Sequence, residues 1–296
     1  MSLDIKQGSV TANGIEFGYL EAGNGPLALL LHGFPDNAWT WESQLDALAS
    51  AGYHAVAPFL RGYPPTEVPK EHFDTETVSR DCCALIEALG SDNAYVVGHD
   101  WGALATLNAA SVCPDRVKRA VAIGAGHPRT AIEIFKIPSQ LHYAFHVWLF
   151  QLEGFGEFAL KENDHALIDY LWDHWSEQSV DQAHVKRVKE TFSHDGVAEA
   201  TLSYYRGLVR IPSEKPDYFA LVTKNISVPT MVVYGAEDPA QVLSENESEF
   251  FSGEYRRELV PGAAHFVQRE QPDALNALLL EWLSAPDRSV ERASSA

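Results

Sequence analysis

Residues 94–102 read Ala-Tyr-Val-Val-Gly-His-Asp-Trp-Gly, and this stretch decides how the rest of the chain is interpreted. An apolar run ends at Gly98, and a helix-forming sequence begins after Gly102. Small residues on either side of a central residue permit a sharp strand–turn–helix connection that lifts the central side chain above the edge of a sheet. We therefore predict a nucleophile elbow with Asp100 at its tip. The alternative is an ordinary helix N-cap, a position that aspartate also favours.

Segments typical of strands and of helices alternate on both sides of this elbow. Short apolar or alternating runs predict strands at 9–12, 15–20, 27–31, 53–57, 94–97, 117–123, 229–234 and 257–260. Helical periodicity is found at 41–51, 76–89, 104–110 and 272–283. Such alternation indicates an α/β fold with a mostly parallel, eight-stranded sheet and helices on both faces. Asn13-Gly14 between the first two strands predicts a hairpin.

The pattern changes at Pro128, after the sixth strand. From there to Pro212 the chain is rich in aromatic residues and indicates helices without strands. We predict a core domain made of residues 1–127 and 213–296, interrupted by an all-helical lid, or cap domain, at 128–212. Prolines at both borders fit this division because proline disrupts regular helix. The polar tail at 285–296 is expected to be frayed.

Composition and charge exclude several classes of function. The chain has 296 residues, of which 46% are hydrophobic, so it can bury a large core. Its net charge of −19 opposes binding to nucleic acid or to an anionic membrane surface. The longest apolar runs are too short to span a bilayer and no signal peptide is recognisable, so we expect a cytoplasmic protein. Monomer and homodimer both stay open.

The cysteines and histidines indicate no metal site, and no other cofactor is expected. Cys82, Cys83 and Cys113 form an odd, sparse set without ligand spacing, which is typical of unpaired cysteines in a reducing compartment. Cys82 and Cys83 lie in a stretch with helical periodicity and are expected to fill the core. The histidines are scattered and lack the spacing of paired metal ligands.

An aspartate at the tip of the elbow restricts the chemistry. A carboxylate is ionised at neutral pH and needs no base before it attacks. Attack by Asp100 on an ester carbonyl would form a reactive anhydride, whereas attack on a saturated carbon with a leaving group forms a stable alkyl ester. Epoxides and alkyl halides are therefore the expected substrates, rather than ordinary esters or amides.

Such an ester needs backbone donors for the oxyanion that forms when it is hydrolysed. One donor is expected to be the N–H of Trp101, which follows the nucleophile. The second is expected in the loop at 32–36, which reads His-Gly-Phe-Pro-Asp after the predicted strand at 27–31. We assign this role to the N–H of Phe34.

An acid and a histidine complete the predicted triad. Asp238 follows the strand at 229–234, at the carboxyl end where open α/β sheets place functional groups. Glu237, one residue earlier, is the alternative acid. His265 follows the strand at 257–260, so nucleophile, acid and histidine occur in the order expected of this fold.

Together these motifs resemble the epoxide hydrolases of the α/β-hydrolase fold, which are related to haloalkane and haloacid dehalogenases. The resemblance extends from about Gly14 to Leu283. Its most specific parts are His32-Gly33-Phe34-Pro35, Arg61-Gly62-Tyr63, Gly98-His99-Asp100-Trp101-Gly102, Asp238 and His265. It implies an enzyme whose partners are a small hydrophobic epoxide and water.

The resemblance also implies two proton-donating groups on the lid, usually both tyrosines, that hold and protonate the epoxide oxygen. The segment 201–206 resembles the motif of the second group and indicates Tyr205. The position that matches the first group is His146, which a minority of the family and some dehalogenases share. Tyr143 lies one helical turn away and is the alternative.

The aromatic residues of the lid fit an apolar substrate pocket. They include Phe145, Trp148, Phe150, Trp172 and Trp175. We predict that Trp101, Tyr143, Phe145 and Trp148 contact the substrate.

Epoxide hydrolysis is the leading hypothesis, because an opening epoxide needs a proton donor such as Tyr205. A haloalkane or haloacid dehalogenase of the same fold is the second hypothesis. Haloacids are disfavoured because residues 101–110 contain no arginine that could bind their carboxylate. A non-catalytic receptor for a small hydrophobic ligand is the third hypothesis, which the complete triad opposes.

Overall fold

The computed structural model describes residues 4–71, 73–131 and 136–286. Within this part of the chain, eight strands form one sheet. They are β1 (Lys6–Ala12), β2 (Ile15–Ala22), β3 (Leu27–Leu31), β4 (His54–Pro58), β5 (Ala94–His99), β6 (Val117–Ile123), β7 (Thr230–Gly235) and β8 (Tyr255–Val260). Asn13 and Gly14 connect β1 to β2 with φ angles of 44° and 82°, which confirms the predicted hairpin.

The sheet has the strand order β1-β2-β4-β3-β5-β6-β7-β8. β2 pairs antiparallel with both β1 and β4, and every later pairing is parallel. The prediction of a mostly parallel, eight-stranded sheet is confirmed. All five residues of β3 are buried, as expected for a strand covered on both faces. β5 lies between β3 and β6, so the loops after these strands meet at the middle of one edge.

Twelve α-helical segments lie in the described part of the chain, and the segment Phe155–His174 is interrupted at 162–165, where the φ and ψ angles are not helical. Those outside the segment between β6 and β7 are α1 (Glu42–Ser50), α2 (Thr75–Ala88), α3 (Trp101–Val112), α11 (Val267–Glu270) and α12 (Pro272–Ser284). Those between β6 and β7 are α4 (Pro128–Ala131), α5 (Pro138–Tyr143), α6 (Phe145–Leu149), α7 (Phe155–His174), α8 (Gln182–Phe192), α9 (Val197–Glu214) and α10 (Pro216–Val222). None of the described helices is long and apolar enough to cross a membrane.

The helical run does not end at Pro212, and this expectation is wrong. Pro212 lies inside α9, near its end. Proline removes one N–H donor, but the last turn is still closed by the bond from the N–H of Lys215 to the carbonyl of Ile211, 2.9 Å long. The helix therefore continues to Glu214, and α10 follows. Of the predicted frayed tail, residues 287–296 lie outside the described residues.

The expectation of unpaired cysteines is also wrong. Cys83 on α2 and Cys113 at the end of α3 form a disulfide, 30 residues apart in the chain. Cys82 is unpaired and 1% exposed, as a core residue should be. Successive residues on a helix point about 100° apart, so one cysteine faces the core while its neighbour faces α3.

Candidate active site

The turn between β5 and α3 holds Asp100 in a strained backbone conformation. Its φ is 51° and its ψ is −114°, a region that residues other than glycine rarely adopt. The neighbouring glycines are required for space: a Cβ on Gly98 would collide with the carbonyl of Gly102, and one on Gly102 would collide with the carbonyl of Leu31. The side chain of Asp100 caps no N–H of α3. The N-cap alternative is therefore wrong, and the carboxylate is available for another role.

One oxygen of this carboxylate is held by the loop after β3. The N–H of Phe34 donates to Oδ1 of Asp100 at 2.8 Å. His32 fixes the same loop, since its Nε2 accepts the N–H of Leu60 at 3.0 Å. Burial lowers the pKa of His32 to about 4, so its ring is neutral and can accept this bond. Trp101 follows Asp100 as the first residue of α3. Of the two predicted oxyanion donors, Phe34 thus contacts the carboxylate directly, and Trp101 adjoins it in the chain.

His265 lies between two carboxylates. Its Nδ1 is 3.3 Å from Oδ2 of Asp238, and its Nε2 is 3.7 Å from Oδ2 of Asp100. Burial alone would lower the pKa of His265, but the two carboxylates outweigh burial and raise it to about 10. The pKa of Asp100 is lowered, because the charge of His265 and the Phe34 N–H outweigh the opposing effect of burial. The loops after β5, β7 and β8 therefore bring the three predicted triad residues together.

The structure separates the two candidate acids. Asp238 is 1% exposed, and its Oδ1 accepts the N–H of Ala240 at 2.8 Å. Glu237 instead accepts the backbone N–H groups of Gly262 and Ala263 at 3.1 and 3.2 Å. The imidazole of His265 is thus paired with Asp238, and the alternative acid is wrong.

Three residues from the helices between β6 and β7 line the same cavity as Asp100, and each has a buried polar atom. Tyr205 Oη, His146 Nδ1 and Tyr143 Oη have no hydrogen-bond partner among the described residues. The ring centroids of Tyr205 and His146 are 5.4 Å apart, at right angles. Burial lowers the pKa of His146 to about 3, so this imidazole is neutral. Burial also raises the pKa values of both tyrosines well above 10.

Asp100 and His265 line the same apolar cavity as Tyr143, His146 and Tyr205. Its wall includes Asp100, Trp101, Leu104, Gly124, Ala125, Gly126, Thr130, Tyr143, Ala144, His146, Val147, Trp175, Tyr205, Leu208, Tyr234, Ala240, Leu243 and His265. None of these lining residues is a lysine or an arginine. Phe145 and Trp148 are absent from the wall, and the prediction that they contact the substrate is wrong. Trp148 is 49% exposed, while the ring of Phe145 packs against that of Tyr170 with centroids 6.0 Å apart.

Two residues contact His265 in a way that the sequence did not predict, although Trp175 is among the aromatic residues expected at the substrate pocket. Trp175 packs against His265 with ring centroids 5.3 Å apart, and its carbonyl accepts the N–H of His265 at 2.9 Å. His99 lies under the same residue, with its Nε2 2.9 Å from the carbonyl oxygen of His265. His99 could have been noticed as a polar residue inside an apolar strand end. The sequence around Trp175 has no such signal, because its contact with His265 depends on how the helices between β6 and β7 pack against the core.

The tyrosine next to Tyr205 anchors α9 to the core. The hydroxyl of Tyr204 donates to the carbonyl of Arg61 at 2.8 Å. Arg61 in turn forms a buried ion pair with Asp81, in which Nη2 and Oδ1 are 2.6 Å apart. Adjacent residues point in different directions on a helix, so Tyr204 is held against the core while Tyr205 reaches the cavity.

Comparison with known proteins agrees with this geometry. The family model of the alpha/beta hydrolase fold matches residues 26–272. The AB hydrolase superfamily protein YfhM of Bacillus subtilis is 31% identical, over 94% of this chain and 98% of its own. The chain belongs to the α/β-hydrolase family.

Within that family, several relatives are named epoxide hydrolases. Epoxide hydrolase 3 of Xenopus tropicalis is 30% identical over 92% of this chain and 75% of its own. Epoxide hydrolase A of Mycobacterium tuberculosis is 29% identical over 93% and 96%. The crystal structure of Epoxide Hydrolase A from Mycobacterium thermoresistibile superposes with a TM-score of 0.82, at 27% identity, over 96% of this chain and 99% of that chain. The epoxide hydrolases are thus the branch of the family that this chain resembles.

Proposed function

We propose that the protein hydrolyses epoxides to vicinal diols through a covalent ester on Asp100. The observation that carries this proposal is the carboxylate itself. It lies at the tip of the elbow, accepts the Phe34 N–H, and shares its cavity with the unpartnered hydroxyl of Tyr205. A carboxylate in that position attacks a saturated carbon, and a hydroxyl opposite it protonates the oxygen that leaves.

In the first step, Oδ2 of Asp100 attacks an epoxide carbon and the carbon–oxygen bond of the ring breaks. The new alkoxide takes a proton from Tyr205 and a hydrogen bond from the neutral ring of His146. Tyr205 keeps its proton at neutral pH because burial raises its pKa well above 10. Oδ1 becomes the carbonyl oxygen of the ester and remains on the Phe34 N–H.

In the second step, His265 takes a proton from water and the resulting hydroxide attacks the ester carbon. Formation of the ester removes the negative charge of Asp100, which is one of the two charges that raise the pKa of His265. The imidazole then loses its proton more easily, this proton returns to the Tyr205 phenolate left by the first step, and His265 becomes a general base. The N–H groups of Phe34 and Trp101 stabilise the oxyanion. When the intermediate collapses, the bond from the Asp100 carbonyl carbon to the substrate oxygen breaks, and the leaving alkoxide takes the proton of the new Asp100 carboxyl group, which releases the diol and restores the carboxylate.

We also propose that the helices between β6 and β7 form a cap domain that supplies the donors above the nucleophile. α5, α6 and α9 carry Tyr143, His146 and Tyr205, and all three line the cavity. The apolar wall, without lysine or arginine among its lining residues, favours an uncharged hydrophobic substrate over a haloacid.

Halide displacement by the same nucleophile is the second candidate. Trp101 and Trp175 line the cavity, and their indole Nε1 atoms are buried without a hydrogen-bond partner in the described ranges. A leaving halide needs N–H donors but no proton. The experiment compares a styrene-oxide-like epoxide with a bromoalkane of equal size and measures diol and bromide. We expect faster diol formation; bromide release without diol formation would replace the proposal with this second candidate.

A further inference from the structure

The loop that carries His265 is held by side chains along its backbone. Glu237 accepts the first two N–H groups of this loop, those of Gly262 and Ala263. The third, that of Ala264, donates to Oε2 of Glu270 at 2.6 Å. A backbone N–H group that is buried away from water needs a hydrogen-bond acceptor. Two carboxylates therefore fix the path of the chain up to the residue before the histidine.

Glu270 differs from Glu237 because it also contacts the helical segment between β6 and β7. Its second oxygen, Oε1, accepts the N–H of Glu177 at 2.9 Å. Glu177 lies two residues after Trp175, whose carbonyl accepts the N–H of His265. One carboxylate thus bridges the histidine loop and the chain that follows α7. Glu270 does not line the cavity and is half-buried at the end of α11.

We infer that Glu270 is a positioning residue that couples the lid to His265 and supports the second half of the reaction. This inference rests on the proposed function. Without the bridge, the N–H of Ala264 and the segment at 175–178 each lose a charged acceptor, and the imidazole can move relative to the Asp100 ester. A displacement of about 1 Å at a reacting group commonly costs about a hundredfold in rate.

The expected effect is confined to one step. Ester formation needs the Asp100 carboxylate and the lid donors, whereas the hydrogen bonds of Glu270 go to the N–H groups of Glu177 and Ala264. Ester hydrolysis needs His265 at a fixed distance from the ester carbon. A residue with only a general structural role would instead slow both steps or lower the melting temperature without separating them.

The test uses the full-length protein and measures both steps by rapid-quench mass spectrometry with a styrene-oxide-like epoxide. Glu270→Ala is expected to form the Asp100 ester at the wild-type rate and to hydrolyse it about 10- to 100-fold more slowly. Glu270→Gln keeps one acceptor of the two and is expected to lie between Ala and wild type. Glu254→Gln is the matched control, since that half-exposed carboxylate pairs with Arg119 away from the cavity.

Hydrogen exchange gives a second readout that does not depend on turnover. Glu270→Ala should accelerate amide exchange both in peptides that contain residues 175–178 and in peptides that contain residues 262–266. Glu254→Gln should accelerate exchange in neither segment. Wild-type ester hydrolysis and unchanged exchange in Glu270→Ala would overturn the inference. Equal slowing of both steps would also overturn it. If the wild-type protein forms no ester, the proposed function fails instead, and the exchange result still decides whether Glu270 couples the two segments.

Discussion

The polar groups of the cavity belong to two sets that differ in how they are paired. The floor is the triad on the core side (Asp100, Asp238 and His265), and the roof consists of Tyr205, His146 and Tyr143 on the helices between β6 and β7. On the floor, the imidazole of His265 lies between the carboxylates of Asp100 and Asp238, so charge opposes charge. On the roof, the buried polar atoms of Tyr205 and His146 have no partner in the described part of the chain. A buried donor without a partner commonly costs about 1–3 kcal/mol.

This difference indicates that the floor and the roof contribute to the reaction in different ways. Each charged group of the floor faces an opposite charge within the protein, and loss of one of these charges would remove a step of the reaction. The roof is completed only by a ligand oxygen, so its donors are free to strengthen their bonds as negative charge develops on that oxygen. Changes on the floor should therefore abolish a step, and changes on the roof should slow one.

The largest effect is expected for Asp100→Ala. This change removes the only carboxylate among the described residues that line the cavity. Diol formation should fall by at least about four orders of magnitude, because loss of a nucleophile removes the covalent path. Diol is measured by chromatography, and circular dichroism with a thermal melt shows whether the variant is folded. Substantial turnover by a folded Asp100→Ala protein would contradict the assignment of the nucleophile.

His265→Gln, the second change on the floor, should block only the second step of the reaction, which is hydrolysis of the ester. Asp100 keeps its nucleophilic oxygen, while no general base remains for water, so steady turnover should fall about a thousandfold or more. Intact-protein mass spectrometry after mixing with substrate should show an adduct of substrate mass. Turnover at the wild-type rate, or the absence of an adduct at every time point, would rule out the two-step scheme.

On the roof, Tyr205→Phe should slow ester formation about a hundredfold, since one donor to developing charge is commonly worth about 2–4 kcal/mol. His146→Phe should cause a similar loss, and the double variant should lose less than the sum because both groups serve one oxygen. Tyr143→Phe is the matched control, with an expected effect below about threefold. Single-turnover kinetics measures the step. If Tyr143→Phe is the damaging change and His146→Phe the mild one, the partner of Tyr205 is Tyr143.

The smallest expected effect is in the pH dependence of the two reaction steps. It distinguishes the role of the floor from that of the roof in the wild-type protein. Ester formation should vary less than about threefold between about pH 5 and pH 9, because Asp100 has a lowered pKa and Tyr205 a raised one. Ester hydrolysis should rise with pH, since the general base is the unprotonated form of His265, whose pKa is raised by its carboxylate neighbours. Rapid-quench measurements across this range test both trends. Ester hydrolysis that falls with pH would contradict a histidine base.

The sheet and the triad were the parts most accessible from sequence. The predicted strands at 27–31 and 117–123 match β3 and β6 residue for residue. Period and turn residues are local signals, and a parallel sheet then brings the ends of β5, β7 and β8 to one edge. The predicted helix at 104–110 was too short, since α3 begins at Trp101 immediately after the elbow.

For the segment between β6 and β7, the sequence predicts only a run of helices and not which side of each helix faces the cavity. Phe145 and Trp148 were assigned to the substrate because they are aromatic, yet Tyr143, His146 and Val147 line the cavity. Residues three and four apart share one side of a helical segment, and the side that faces inward depends on packing against the core. The roles of Trp175 and Glu270 depend on the same docking and leave no local pattern. The pairing of Cys83 with Cys113 likewise required knowledge of which helices touch.

The neighbouring tyrosines of α9 constrain how this enzyme could be redesigned for bulkier substrates. Tyr204 is tied to the carbonyl of Arg61, and Arg61 to buried Asp81, so an outward shift of α9 would break a buried network of hydrogen bonds. Space is more easily gained on the opposite side, by shortening Val147 or Leu243, which line the cavity through dispersion contacts alone. Libraries aimed at larger epoxides should therefore vary the wall provided by α6 and the segment after β7, and leave α9 untouched.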